Sequence, residues 1–263
     1  MRILYIDPVG ADACEHEMYD ALLAVKGPDT ALDLVALPVG RPRHLEYHSY
    51  EALIIPDITH IVLQEAPNYD GIVIGCFYDV GLREAREVSG TTPVTAPCQA
   101  TTSIAAALGN SFSVLVTRSK CIPKMRENIH LYGQGDRLAS MRSLELGVRE
   151  LQLDHELTKE RLLSEGRAAI EEDGAETLIL GCTVEYGFYP TMQEALGVPV
   201  LDAAVAAIKQ AEFLAEAAQR FGWQPSRLYG SEAPPAEEIA TWGIYPGEAP
   251  IGLRLTEEER ILA

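Results

Sequence analysis

An offset of 106 residues lays one part of this chain on another, carrying Gly75-Cys76 onto Gly181-Cys182 and Ile72-Val73-Ile74 onto Leu178-Ile179-Leu180. Asp79 then falls on Glu185, Gly81 on Gly187, Leu82 on Phe188, and Pro93-Val94 on Pro199-Val200 without a gap. So long a period exceeds a solenoid unit and predicts two similar α/β lobes. The runs at 71–76 (GIVIGC) and 177–182 (TLILGC) are almost continuously apolar. Strands covered on both faces read this way.

Further strand-like runs at 2–7, 33–37, 93–96, 112–117 and 198–201 alternate with helix-period segments at 51–64, 99–108, 156–172 and 203–220. That alternation indicates an α/β fold with parallel sheets. Gly109, Gly174 and Gly222 each follow a helical run, where a left-handed cap calls for glycine. The expected division is an N-terminal lobe of 1–97 with 208–222, a C-terminal lobe of 98–207, and a Pro/Glu-rich extension at 223–263. The extension carries Pro225, Pro234, Pro235, Pro246 and Pro250, and reads as a surface wrap with a short last helix at 256–262. A partner-binding or lid role is its alternative reading.

With 263 residues, 47% of them apolar and 23% charged, the chain is long enough to bury a sizeable core. It holds no run of 18 apolar residues, so no membrane span is expected. Its start, MRILYID, enters a strand pattern directly, without the regions of a signal peptide. Its 39 Asp and Glu against 21 Lys and Arg give a net charge of −18, which repels phosphate backbones and argues against a nucleic-acid partner. Five cysteines at scattered spacings fit a reducing cytoplasm rather than a disulfide framework.

The repeat places one cysteine at the carboxyl end of each buried strand, where open parallel sheets bind ligands. A helix or tight turn follows, whose free N–H groups and positive end would favour a thiolate and a bound anion. Two lobes related by a pseudo-twofold would set Cys76 and Cys182 on opposite sides of a shared cleft. Thiols so placed suit moving a proton between the two faces of one carbon, with one thiolate as base and one thiol as acid. A lone free cysteine is ordinarily a small buried hydrophobe; a matched pair, both after glycine and both at strand ends, reverses that reading. Cys14 and Cys121 have no such setting and read as structural or incidental. Cys98, near a helix start, stays open.

Thr117 at a strand end and Thr183 beside Cys182 are candidates to line the site, against an ordinary structural role for each. The backbone N–H groups of Phe77 and Thr183 are placed to stabilise an enolate oxygen. Phe77, Tyr78, Tyr186 and Tyr189 are either cleft walls or core. His44 and His48, or Cys14-Glu15-His16-Glu17, lack convincing further metal ligands and read as solvated surface. Arg41 and Arg43 flank Pro42 in an exposed loop or at the cleft. Neither a GxGxxG after a strand nor a P-loop occurs, so nucleotide binding lacks support.

These residues resemble the aspartate/glutamate/hydantoin racemase superfamily, and within it the hydantoin and allantoin racemase branch. The matches are the segment 70–82 with Ala85-Arg86-Glu87 after it, Gly174-Ala175-Glu176 leading to Leu180-Gly181-Cys182-Thr183, and Leu196-Gly197-Val198-Pro199-Val200-Leu201-Asp202 before an Ala-rich helix. The resemblance covers about residues 1–222. It implies two Rossmann-like lobes, chemistry without a cofactor, an active site between the lobes with Cys76 and Cys182 as acid/base pair, and a homo-oligomer. Two departures fall where substrate should be read. The branch opens with Asn-Pro-Asn-Thr/Ser where this chain has Asp7-Pro8-Val9-Gly10, and has Gly-Glu-Ala where this chain has Cys98-Gln99-Ala100. Asp7, Val9 and Gln99 are therefore candidate substrate-reading positions. An acid at Asp7 disfavours a free carboxylate substrate and suits an N–H donor such as a ureido or cyclic imide group.

The expected activity is racemisation of a small-molecule cyclic ureide, a 5-substituted hydantoin or allantoin. One rival keeps the fold and changes the reaction to cis–trans isomerisation, decarboxylation, or ring lysis or hydrolysis through a cysteine nucleophile, detectable as a covalent adduct. Another is a non-catalytic small-molecule binding protein, for which both cysteines would alkylate as slowly as a model thiol. A third is an assembly protein using the acidic tail.

Overall fold

The computed structural model describes residues 1–11 and 15–257. In chain order its elements are β1 (Arg2–Gly10), α1 (Glu15–Val25), β2 (Ala31–Leu37), α2 (His48–Glu65), β3 (Gly71–Ile74), α3 (Leu82–Val88) and β4 (Val94–Thr95), then α4 (Pro97–Leu108), β5 (Phe112–Val116), α5 (Ile122–Leu131), β6 (Leu138–Ser143), α6 (His155–Glu171), β7 (Thr177–Leu180), α7 (Tyr189–Leu196) and β8 (Val200–Leu201), and finally α8 (Ala203–Phe221), α9 (Ala236–Trp242) and β9 (Leu253–Leu255). Among the described residues, those of 1–75, 80–95 and 208–257 form one compact unit, and residues 76–79 with 96–207 form a second.

The first unit holds a sheet ordered β4-β3-β1-β2-β9, parallel except for β9, which runs antiparallel on β2. The second holds an all-parallel sheet ordered β6-β5-β7-β8. Without β9 the two orders are the same, β4-β3-β1-β2 and β8-β7-β5-β6. The sequence repeat is thus also a repeat of register: Ile72 pairs with Val94, and Leu178 with Val200. It extends to single bonds, with Ile72 N donating to Pro93 O and Leu178 N to Pro199 O, each at 2.9 Å. The apolar runs form because their side chains meet packing on both faces. Ile72, Val73, Ile74, Leu178, Ile179 and Leu180 are all fully buried, each contributing about 1.5–3 kcal/mol of transfer free energy.

The structure departs from the sequence expectations in several places. β3 and β7 stop at Ile74 and Leu180, so each cysteine stands two residues beyond its strand. The unexpected elements are α1, α3, α5, α7, α9, β6 and β9. Residues 76–79 group with the second unit because their turn is hydrogen-bonded to α4 and α5. Residues 223–257 group with the first unit because they are tied into it. Arg254 of β9 bonds Glu65 at 2.6 Å and the Tyr69 hydroxyl at 2.9 Å, and Gln64 bonds Gly247 O at 2.7 Å. Gly174 and Gly222 are left-handed as expected, whereas Gly109 is extended at φ −155°. Close approach explains that glycine, since a Cβ there would stand 3.0 Å from both Glu176 and Thr177. Cys14, and the expected last helix beyond Glu257, lie outside the described residues. Among the described residues no helix is long and apolar enough to cross a membrane.

Candidate active site

Each cysteine is delivered by a glycine that extends the strand ladder by one bond. Gly75 N donates to Ile6 O at 2.8 Å, and Gly181 N to Leu115 O at 2.7 Å. Neither glycine has room for a side chain: a Cβ at Gly75 would stand 2.4 Å from the buried Tyr5 ring, and one at Gly181 2.5 Å from Leu115 O. The chain then turns. Asp79 N closes back on Cys76 O at 2.9 Å, and Glu185 N on Cys182 O at 3.1 Å.

The turn after Cys76 is pinned to the second unit. Asp79, left-handed at φ 49°, accepts the N–H groups of Cys98 at 2.8 Å and Gln99 at 2.9 Å, and the Tyr132 hydroxyl at 2.7 Å. Those amides belong to the first turn of α4, where helix donors lack intrahelical partners and a negative charge is stabilised. Asn128 of α5 adds a bond to Tyr78 O at 2.6 Å. Cys76 is half-buried and packs against a core of Phe77, Tyr78, Cys98 and their neighbours. The two aromatic side chains are therefore core here.

Cys182 is half-buried and opens the 3-10 turn Thr183–Glu185. Its N–H donates to Glu185 Oε2 at 3.3 Å, and its sulfur receives the Glu185 N–H, a reciprocal capping box. The expected thiolate-favouring environment is not found at Cys182. Burial, then Glu185, push its thiol well above the ordinary range, with smaller contributions from Cys76 and Cys121. The turn supplies too few aligned amides to offset burial beside an acid. Glu185 is itself raised well above the carboxylate range, by burial and then by Asp202. Asp202 is raised by burial, although it caps α8 through Ala204 N at 2.9 Å and Val205 N at 3.2 Å and accepts Gly187 N at 3.3 Å. Charge on Cys76 acts on both Cys182 and Cys98, so the second unit gathers these thiols in one neighbourhood.

Cys98 is wholly buried in the core, its thiol raised by burial, Asp79 and Cys76. Thr117 is buried with its hydroxyl 3.4 Å from the Cys121 sulfur, which gives both residues a local packing role. Thr183 is buried beside Cys182, and Gln99 is half-buried on α4. Asp7 (buried) and Val9 (half-buried) lie at the carboxyl end of β1 in the first unit, where the pairing with β2 shifts register between Asp7 and Gly10. In the same unit Arg41 pairs with Asp57, His44 with Glu46 at 3.2 Å and His48 with Glu51 at 2.9 Å. No cluster of three or more His, Cys, Asp or Glu arranged for a metal occurs among the described residues. Sequence reasoning missed the roles of Tyr132, Asn128 and Asp202, and marked Glu185 only as the partner of Asp79 in the repeat.

Residues 3–211 match the family described as Asp/Glu/Hydantoin racemase. A hydantoin racemase of Rhizobium meliloti is 34% identical over 215 residues, covering 81% of this chain and 88% of that protein. A hydantoin racemase of Pseudomonas sp. (strain NS671) is 31% identical over 239 residues, covering 90% and 94%. The solved allantoin racemase from Klebsiella pneumoniae superposes with a TM-score of 0.81 at 27% identity, covering 89% of this chain and 94% of that one.

Proposed function

The chain belongs to the Asp/Glu/hydantoin racemase family and is an enzyme of the racemase class, and on that premise we propose that it inverts a carbon bearing an acidic proton in a cyclic ureide, a 5-substituted hydantoin or allantoin, by proton transfer between Cys76 and Cys182. The observation that carries this reading is the matched pair itself. Two Gly-Cys steps, 106 residues apart, are presented by equivalent strands, equivalent ladder bonds and equivalent closing turns. The hydantoin and allantoin racemases among its relatives support the substrate class.

In this mechanism one cysteine, as thiolate, removes the ring C–H proton. The electron pair moves into the adjacent carbonyl, whose developing oxyanion is met by the N–H groups of Phe77 and Thr183. The other cysteine, as thiol, delivers a proton to the opposite face, the electron pair returns to carbon, and the two sulfurs have exchanged protonation states. The chemistry needs only acid–base groups of the chain, each typically supplying a factor of about 10²–10⁴. Fixed N–H donors at the oxyanion commonly contribute as much or more. We assign Asp7 to accept a ureide N–H, with Val9, Gln99 and Thr183 as further substrate-side positions. Thr117 is left out of that set, since its hydroxyl is engaged with Cys121.

The test is enantiopure allantoin and several 5-substituted hydantoins in D₂O, followed by proton NMR and optical rotation together. Enzyme-dependent loss of the C5 proton with inversion supports the reading. No exchange on any of these compounds overturns it.

A further inference from the structure

Asp79 and Glu185 occupy the same place in the repeat, three residues after each cysteine, yet their surroundings differ. Asp79 accepts two helix amides and a tyrosine hydroxyl, so its negative charge is matched by donors at a helix start. Glu185 is fully buried; Oε2 accepts a weak bond from Cys182 N at 3.3 Å, the backbone N–H groups of Cys182 and Gly181 are the donors acting on the carboxyl, and Oε1 has no hydrogen-bond partner among the described residues. The groups acting on this pair from other elements are Asp202 on Glu185, and Cys76 and Cys121 on Cys182. None of them is a cation. An ionised carboxylate in that setting costs far more than a neutral carboxyl. A thiolate at Cys182 would face the same deficit and, once Glu185 has ionised as pH rises, the repulsion of that carboxylate as well.

We propose that Glu185 is a positioning residue that holds Cys182 as a thiol in the resting enzyme, making Cys182 the proton donor and Cys76 the base when the first substrate binds. The assignment deepens the two-cysteine reading and rests on it. The repeat supplies two equivalent thiols, and the unequal acids beneath them make one an acid and the other a base. After inversion the enzyme holds a Cys76 thiol and a Cys182 thiolate beside Glu185. The resting form returns when Cys182 takes a proton from solvent and Cys76 releases its own to solvent, or when the opposite enantiomer is turned over, Cys182 removing its proton and Cys76 donating one.

The experiment is alkylation of the full-length protein with iodoacetamide from about pH 6 to about pH 10, bracketing ordinary thiols, with each cysteine followed by peptide mass spectrometry. The midpoint of each profile is read, because access scales the rate at every pH alike. We expect the Cys182 midpoint at least about one pH unit above that of Cys76. Glu185→Gln should move the Cys182 midpoint down while leaving that of Cys76 in place and the circular dichroism unchanged. Should that variant not fold, Glu185→Met carries the same expectation. A Cys182 midpoint at or below that of Cys76 overturns the proposal, as does an unshifted Cys182 midpoint in a folded Glu185 variant. Neither readout requires turnover, so a protein that racemises no ureide still decides this proposal separately from the proposed function.

Discussion

The backbone N–H of Gly181 donates to the carbonyl of Leu115 at 2.7 Å, and that bond sets where Cys182 begins its turn. A Cβ on Gly181 would stand 2.5 Å from the same carbonyl oxygen, which belongs to a fully buried strand and has no rotamer to change. Gly181→Ala should therefore destabilise the protein by about 1–3 kcal/mol. Thermal unfolding checks this, and an unchanged Tm would show that β5 yields more readily than its packing implies.

Removing the Asp79 carboxylate leaves the Cys98 and Gln99 amides and the Tyr132 hydroxyl without their acceptor. Asp79→Ala should cost about 1–3 kcal/mol, the penalty of unsatisfied buried donors. It should also lower kcat more than it raises KM, because the turn carrying Cys76 loses its anchor. Asp79→Asn tolerates the left-handed backbone and keeps one acceptor oxygen, so it should fall between wild type and Asp79→Ala. Tyr132→Phe, which removes a single bond, should be milder still. Steady-state kinetics beside thermal unfolding rank the three.

Stability should also depend on pH through Glu185. Its folded pKa lies well above the ordinary value of 4.5, raised first by burial. Between those two values the folded state holds a proton that the unfolded state has released, so stability falls as pH rises, by at most about 1.4 kcal/mol per pH unit. Glu185→Gln removes this loss. The stability difference between the variant and wild type should grow in favour of the variant from acidic to alkaline pH in urea titrations. A constant difference would mean that Glu185 is ionised in the fold.

Asp7→Asn should shift preference between substrates. With an amide in place of the carboxylate, turnover of substrates bearing a free carboxylate should rise relative to that of hydantoins. Competition between the two classes in one reaction measures the ratio. No change in the ratio would remove Asp7 from substrate reading.

Both central strands were legible because burial on two faces leaves an uninterrupted apolar run, and the repeat was legible because backbone bonds constrain Gly, Cys and Pro at fixed spacing. β6 escaped detection because LASMRS is an edge strand with mostly half-exposed side chains and no apolar run. β9 is only LRL, in a Pro-rich tail, and is recognisable only from its pairing with β2. α3, at seven residues, is too short to display a period. At the site, the cysteines and their acids were visible from the repeat, but the anchors were not. Tyr132 and Asn128 reach the Cys76 turn across 53 and 50 residues of sequence, a separation that no local pattern records. The different states of Asp79 and Glu185 follow from burial and donor count, which residue type alone does not encode.

Cys76→Ser and Cys182→Ser bear most directly on the account, assayed with both enantiomers of one hydantoin by proton NMR in D₂O. Each variant should lose inversion by a factor of about 10² or more, while C–H exchange with retention persists for the enantiomer whose proton faces the remaining cysteine. The two variants should retain exchange on opposite enantiomers. Full racemisation by either variant, or exchange of the same enantiomer by both, would contradict a proton passed between Cys76 and Cys182.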